Sequence, residues 1–163
     1  MKKLAYGFLL LGWIPTLGVI TGARWIVGDA VAAQGRTLVK VTRLYTGADG
    51  KTKVEEFEIP LAPRDKGREV ATPVNLTTLQ VRRTTPEYFD DWHPASRRQV
   101  VVTLAGESEI ELEGGRKLRL GPGHILLAED TTGQGHISRA VAGTDRIALD
   151  IGLADGAALP RSK

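Results

Sequence analysis

The sequence reads as an all-β domain behind a hydrophobic N-terminal segment, and two observations in residues 99–129 predict the strands. The first is a succession of short runs, QVVVTL, SEIELE, RKLRL and HILLAE, separated by turns at Ala105-Gly106, Gly114-Gly115 and Gly121-Pro122-Gly123. The second is alternation. Ile110 and Leu112 alternate with Glu109, Glu111 and Glu113, and Leu118 and Leu120 with Lys117 and Arg119, which gives each strand one buried and one wet face. The Gly114-Gly115 turn makes the two strands a hairpin and sets an acidic outer face beside a basic one. Ile110, Leu112, Leu118, Leu120, Leu126 and either Val101 or Val102 are expected inward.

From the beginning of the chain, residues 1–33 open with Lys2 and Lys3, continue through an apolar run over 4–20 and close on Ala30-Val31-Ala32-Ala33. That is the layout of a secretory signal peptide cut after Ala32 or Ala33. The competing reading is an uncleaved anchor, since residues 4–27 are long enough to cross a bilayer, although Pro15, four glycines and Arg24 weaken it. Either way the domain at 34–163 is expected outside the cytoplasm, periplasmic or secreted, with the membrane involved only through this segment.

Residues 36–45 and 53–59 read as an early hairpin around the turn at 47–50. Residues 60–73, with three prolines and a charged run, read as a surface loop. A strand resumes over 74–84, residues 86–91 read as a turn, and residues 140–153 as two short strands around Gly143-Thr144-Asp145. The tail from Ala154 is expected to fray.

Composition excludes several functions. With no cysteine among 163 residues, disulfides, thiolate metal sites, a cysteine nucleophile and a lipoprotein anchor are all ruled out. The net charge is +3, but Lys2, Lys3 and Arg24 against Asp29 place two of those charges in the first 33 residues. The remainder carries too little positive charge for nucleic acid to be a partner. No Ser-His-Asp order, phosphate loop or H-E-x-x-H helix is present.

All three histidines lie between Trp92 and Arg139, and there the sequence resembles the cupins, small jelly-roll β-barrels with the motifs G-x5-H-x-H-x3-4-E-x6-G and G-x5-P-x-G-x2-H-x3-N. The resemblance covers residues 37–153. With Gly106 as the closing glycine of the first motif, His93 falls on its first His, Ala95 on its second and Gln99 on its Glu. Thr131-Thr132-Gly133-Gln134-Gly135-His136 falls on P-x-G-x2-H, with Thr131 in place of the proline and His136 on the histidine. Gly121-Pro122-Gly123 matches the turn before that strand, with His124 in place of the common Asp and read as a surface residue. WHPASRRQ and LLAEDTTGQGH are similar to a subgroup of short exported cupins.

The resemblance implies a single cupin-type jelly-roll β-barrel with a divalent metal (Fe, Mn, Zn or Ni) held by His93, Gln99 and His136. Ala95 cannot ligate, and Gln99 offers a neutral oxygen where the family has an anion. Trp92 and Arg98 are the candidate contacts to a small organic acid or sugar-like substrate. Pro94 breaks the alternation and hides whether Arg97 or Arg98 faces inward. Glu129 and Asp130 read either as acid-base groups or as caps of the turn after them, capping being favoured for Asp130. Two functions therefore stay open: a metal-dependent enzyme of the dioxygenase or isomerase type, or a metal-free small-molecule-binding module. Pairing of edge strands within residues 36–59 would give a homodimer.

Overall fold

The computed structural model describes residues 38–141 and 143–162. The segment read as a signal peptide or anchor lies outside the described residues. The strands are β1 Val39–Thr46, β2 Thr52–Ile59, β3 Ala62–Pro63, β4 Glu69–Val70, β5 Leu76–Thr84, β6 Phe89–His93, β7 Gln99–Ala105, β8 Ser108–Glu111, β9 Lys117–Leu120, β10 Ile125–Glu129, β11 His136–Ala140 and β12 Arg146–Leu153. The only helical element among the described residues is a 3-10 turn at Glu113–Gly115. It requires positive φ at Gly114 and Gly115, as the glycine pair predicts.

One sheet has the order β2-β1-β10-β7-β12-β5 and a second has β6-β11-β8-β9. β8 pairs with β9, β7 with β10, β6 with β11 and β5 with β12, all antiparallel. The chain thus runs out to the β8–β9 hairpin and then retraces itself. No ladder joins the two large sheets among the described residues, so the strands form two sheets instead of a closed barrel. The β1–β10 pairing is parallel, so the six-stranded sheet is mixed, not antiparallel throughout.

Alternation divides the apolar residues between two cores. Leu44, Val101, Ile110, Leu112, Leu120, Leu126 and Ala148 are buried together, with Leu118 packed against them. Val101, not Val102, is the inward valine. The opposite face of the six-stranded sheet carries the second core: Val41, Val100, Leu127 and Leu153. Each fully buried Leu contributes roughly 1.5–3 kcal/mol.

Several local expectations need correction. Residues 86–88 turn, but a strand begins at Phe89. Its side chains from Phe89 to Trp92 are exposed, so no apolar face announced it. One strand, β12, follows Gly143, because β11 ends at Ala140. The 60–73 loop contains a small antiparallel ribbon, β3 with β4. The tail does not fray: Ala157 and Leu159 pack on the second core, Ser162 N donates to Glu58 O at 2.9 Å, and Arg161 pairs with Glu55 at 2.6 Å. This also covers part of the free edge of β2, where a dimer contact was expected.

Candidate functional site

A cavity of about 330 Å³ lies between the two sheets. Strand alternation supplies its lining. Gln80, Arg82 and Thr84 come from one face of β5, Arg146 and Asp150 from one face of β12, and Gln99 and Val101 from β7. The opposing sheet contributes Asp90 and His93 from β6, His136 and Ser138 from β11, and Ile110 and Leu120 from β8 and β9. Its lining joins apolar side chains, Val101, Ile110, Leu120 and Leu126, to the polar ones.

His93 and His136 face each other across the β6–β11 ladder, where they are register partners. Their ring centres are 4.7 Å apart. Gly135 precedes His136 with φ +75, and an added Cβ there would meet His93 O at 1.9 Å, so only glycine permits this close approach. The Asp130–Gly135 loop is tied down on both sides. Ala95 N donates to Asp130 O at 3.0 Å, Gln134 N to Gly50 O at 3.0 Å, and Thr46 Oγ1 to Thr132 O at 2.9 Å.

The tautomers of both imidazoles follow from their partners. His93 Nδ1 lies 2.6 Å from the Asp91 carbonyl oxygen, which can only accept, so Nδ1 carries the proton. His136 Nδ1 lies 2.7 Å from Asp130 Oδ2, an acceptor when ionised. Asp130 is fully buried and also accepts from Thr52 Oγ1 at 2.8 Å. His93 Nε2 lies 3.5 Å from Asp90 Oδ2, a carboxylate oxygen that can only accept. The capping role expected of Asp130 gives way to orienting His136, because its side chain turns into the protein.

Two imidazoles bound to one ion through nitrogens about 2.0–2.1 Å away would place their ring centres roughly 4.5–5.3 Å apart, a range that includes the 4.7 Å of this pair. The carboxylate behind His136 is the kind of outer partner that orients a ligating imidazole. Gln99 lines the same cavity and can offer its amide oxygen. These residues could offer an ion two imidazole nitrogens and one neutral oxygen. No group of three His, Asp, Glu or Cys side chains among the described residues is placed to hold one.

Arg98 and Trp92 do not line the cavity. Arg98, the residue before β7, donates to Glu129 Oε1 from Nε at 3.0 Å and Nη2 at 2.5 Å, and to Ala157 O at 2.7 Å. Arg97 is the one at the cavity mouth. Trp92 is 39% exposed. His124, expected on the surface, is half-buried because its turn folds under β7, and its Nε2 is buried with no partner.

Three cavity residues escaped the sequence reading. Arg82 and Asp150 form a bidentate ion pair at 2.6 and 3.1 Å. Burial would lower the Arg82 pKa, and the Asp150 hydrogen bond overrides it, leaving the guanidinium more firmly protonated than usual. Burial, then Asp90, pushes the nearby Tyr88 hydroxyl up. Arg146, buried on β12, donates from Nε and Nη2 to Thr103 Oγ1 at 3.2 and 2.7 Å. The available signal was a pair of opposite charges sharing one phase of an otherwise apolar strand, as in R-I-A-L-D over 146–150.

No family model matches the sequence, and no curated protein matches it. Among solved structures the chain is similar to protein NMB1881 from Neisseria meningitidis, with 13% identity over 50% of this chain and 84% of that one and a TM-score of 0.37. A likeness at that level carries no functional argument.

Proposed function

We propose that this is an exported cupin-type jelly roll whose cavity holds a divalent ion on His93 and His136, with Gln99 as a third, neutral ligand, and acts on a small organic acid or sugar-like substrate. The nested pairing from β8–β9 out to β5–β12 is the strand order such a fold requires, which supports the family reading. The observation that carries the site is the pairing of two imidazoles whose ring centres are 4.7 Å apart, each with its Nδ1 held by an acceptor oxygen. A divalent ion there would supply Lewis-acid polarisation of a substrate oxygen. The chain's own residues orient the imidazoles, through Asp130 and the Asp91 carbonyl, and shape the polar lining.

A second reading, a metal-free binding module, is favoured by the donor count: two imidazoles and a neutral amide make a poor set for a divalent ion. Metal analysis of the protein purified from its own envelope compartment separates the two. Stoichiometric metal, lost in both His93→Ala and His136→Ala, supports the metal site. Sub-stoichiometric metal unchanged by either substitution leaves the binding module. The same preparation tests export, because N-terminal sequencing should find Ala33 or Gln34 first, and an intact Met1 with membrane pelleting would favour the anchor.

A further inference from the structure

Three guanidinium groups line the cavity, and their electrostatic situations differ. Arg82 is neutralised by the bidentate contact to Asp150. Arg97 is exposed at the mouth, where water screens it. Arg146 is only 5% exposed and has one side-chain partner, the neutral hydroxyl of Thr103, shared by its Nε and Nη2. Its Nη1 donates to nothing among the described residues, and no carboxylate lies within ion-pair distance. Asp150, four residues on along the same face of β12, has both oxygens on Arg82 and attracts Arg146 only at longer range.

A buried cation without a counter-charge is strongly destabilising, and a guanidinium cannot escape by losing its proton. Burial, then the neighbouring Arg82, pushes the Arg146 pKa down, with Asp150 and Tyr88 opposing, and a guanidinium stays charged in a protein. A protein keeps such a group where a ligand completes it. A guanidinium with a spare edge facing a cavity is matched by a planar carboxylate.

We propose that Arg146 anchors the carboxylate of a small monocarboxylic acid, whose apolar body lies on Val101, Ile110, Leu120 and Leu126. This deepens the preceding reading and rests on its cavity being a ligand site, but not on its metal. The charge count selects the class. One buried positive charge is uncompensated, and a carboxylate cancels it, whereas a phosphate dianion would add a surplus negative charge beside Asp90 and Asp150. The cavity volume is at the small end for ligand sites, which suits a compact acid.

The probe is benzoate, compared with its neutral twin benzamide and with inorganic phosphate. Thermal melts of the mature protein are recorded at roughly 10 mM of each, with sodium chloride matching the ionic strength. Benzoate should raise the melting temperature and benzamide and phosphate should not. Arg146→Met should remove the benzoate shift while leaving the ligand-free protein as stable as before or more so, since a buried unpaired charge is gone. Arg146→Lys, which keeps the charge but not the planar fork, should weaken benzoate by about tenfold. The shift should persist in EDTA and in His93→Ala and His136→Ala, so failure of the metal reading leaves it standing. No benzoate shift in the native protein, or one unchanged in Arg146→Met, overturns the proposal. So does a shift abolished by EDTA, which would place the anion on the histidine pair. Equal stabilisation by phosphate overturns the carboxylate assignment.

Discussion

Asp130 accepts the Nδ1 proton of His136 at 2.7 Å, with both side chains buried, and takes a second hydrogen bond from Thr52 Oγ1. One carboxylate therefore joins the β1–β2 hairpin, where Thr52 begins β2, to the strand that carries the candidate site. Asp130→Ala strands two buried donors and should cost about 2–4 kcal/mol in a urea titration. Asp130→Asn can still accept from His136 and should cost less. Equal stability of native and alanine forms would show that the contact contributes nothing.

Gly135 sets the distance between the two imidazoles. A methyl group there would overlap the His93 carbonyl and the nitrogen of Pro94, both backbone atoms that cannot swing aside. Gly135→Ala should lower stability by roughly 3 kcal/mol and shift the His93 and His136 ring resonances in an NMR spectrum. A variant of native stability with unmoved ring resonances would refute this account of the turn.

Particular residues explain what the sequence revealed of the fold and what it hid. From β7 to β10 apolar residues hold inward positions, and the period-two rule placed Ile110, Leu120 and Leu126 while leaving Val101 or Val102 open. In β5 and β12 the rule inverts. Leu79 and Val81 are each 67% exposed while Gln80 and Arg82 line the cavity, and Ile147 and Leu149 face away from it while Arg146 and Asp150 face in. A polar cavity between two sheets makes the charged phase the inner one, and a lone strand does not announce which side the cavity is on. A motif spacing brings His93, Gln99 and His136 forward, and all three line the cavity, whereas Arg82, Arg146 and Asp150 meet only through strand pairing.

Arg98 has a structural task, and its removal should register in stability instead of ligand binding. Its partner Glu129 is also held by Arg43 Nε at 2.6 Å. Burial alone would raise the Glu129 pKa, but the hydrogen bonds from Arg98 and Arg43 outweigh it and hold the carboxyl below its ordinary range. A carboxyl depressed in the folded state contributes stability above its unfolded pKa of about 4.3 and loses it as pH falls through the folded value. Glu129→Gln should therefore be less stable than the native protein at pH 7, by about 2–3 kcal/mol, with the gap closing below about pH 4. Arg98→Ala should lose stability and keep its benzoate response. A lost benzoate response in a well-folded Arg98→Ala would return that residue to the ligand.

His124 makes a separate prediction at milder pH. Its Nε2 is buried without a partner, and burial pushes its pKa below the ordinary histidine value, with Glu56 opposing and Arg146 adding to the shift. The folded protein then binds a proton less readily than the unfolded chain. Stability from keeping this ring neutral is present above the unfolded pKa of about 6.5 and is lost as pH falls through the lower folded value. His124→Leu, of similar size and with no polar atom to orphan, should be at least as stable at pH 7.5 and should flatten the native decline between about pH 6.5 and pH 5. Denaturation midpoints across that range decide it: a native protein with no decline there, or a variant that declines in parallel, would show that the His124 ring does not report on folding.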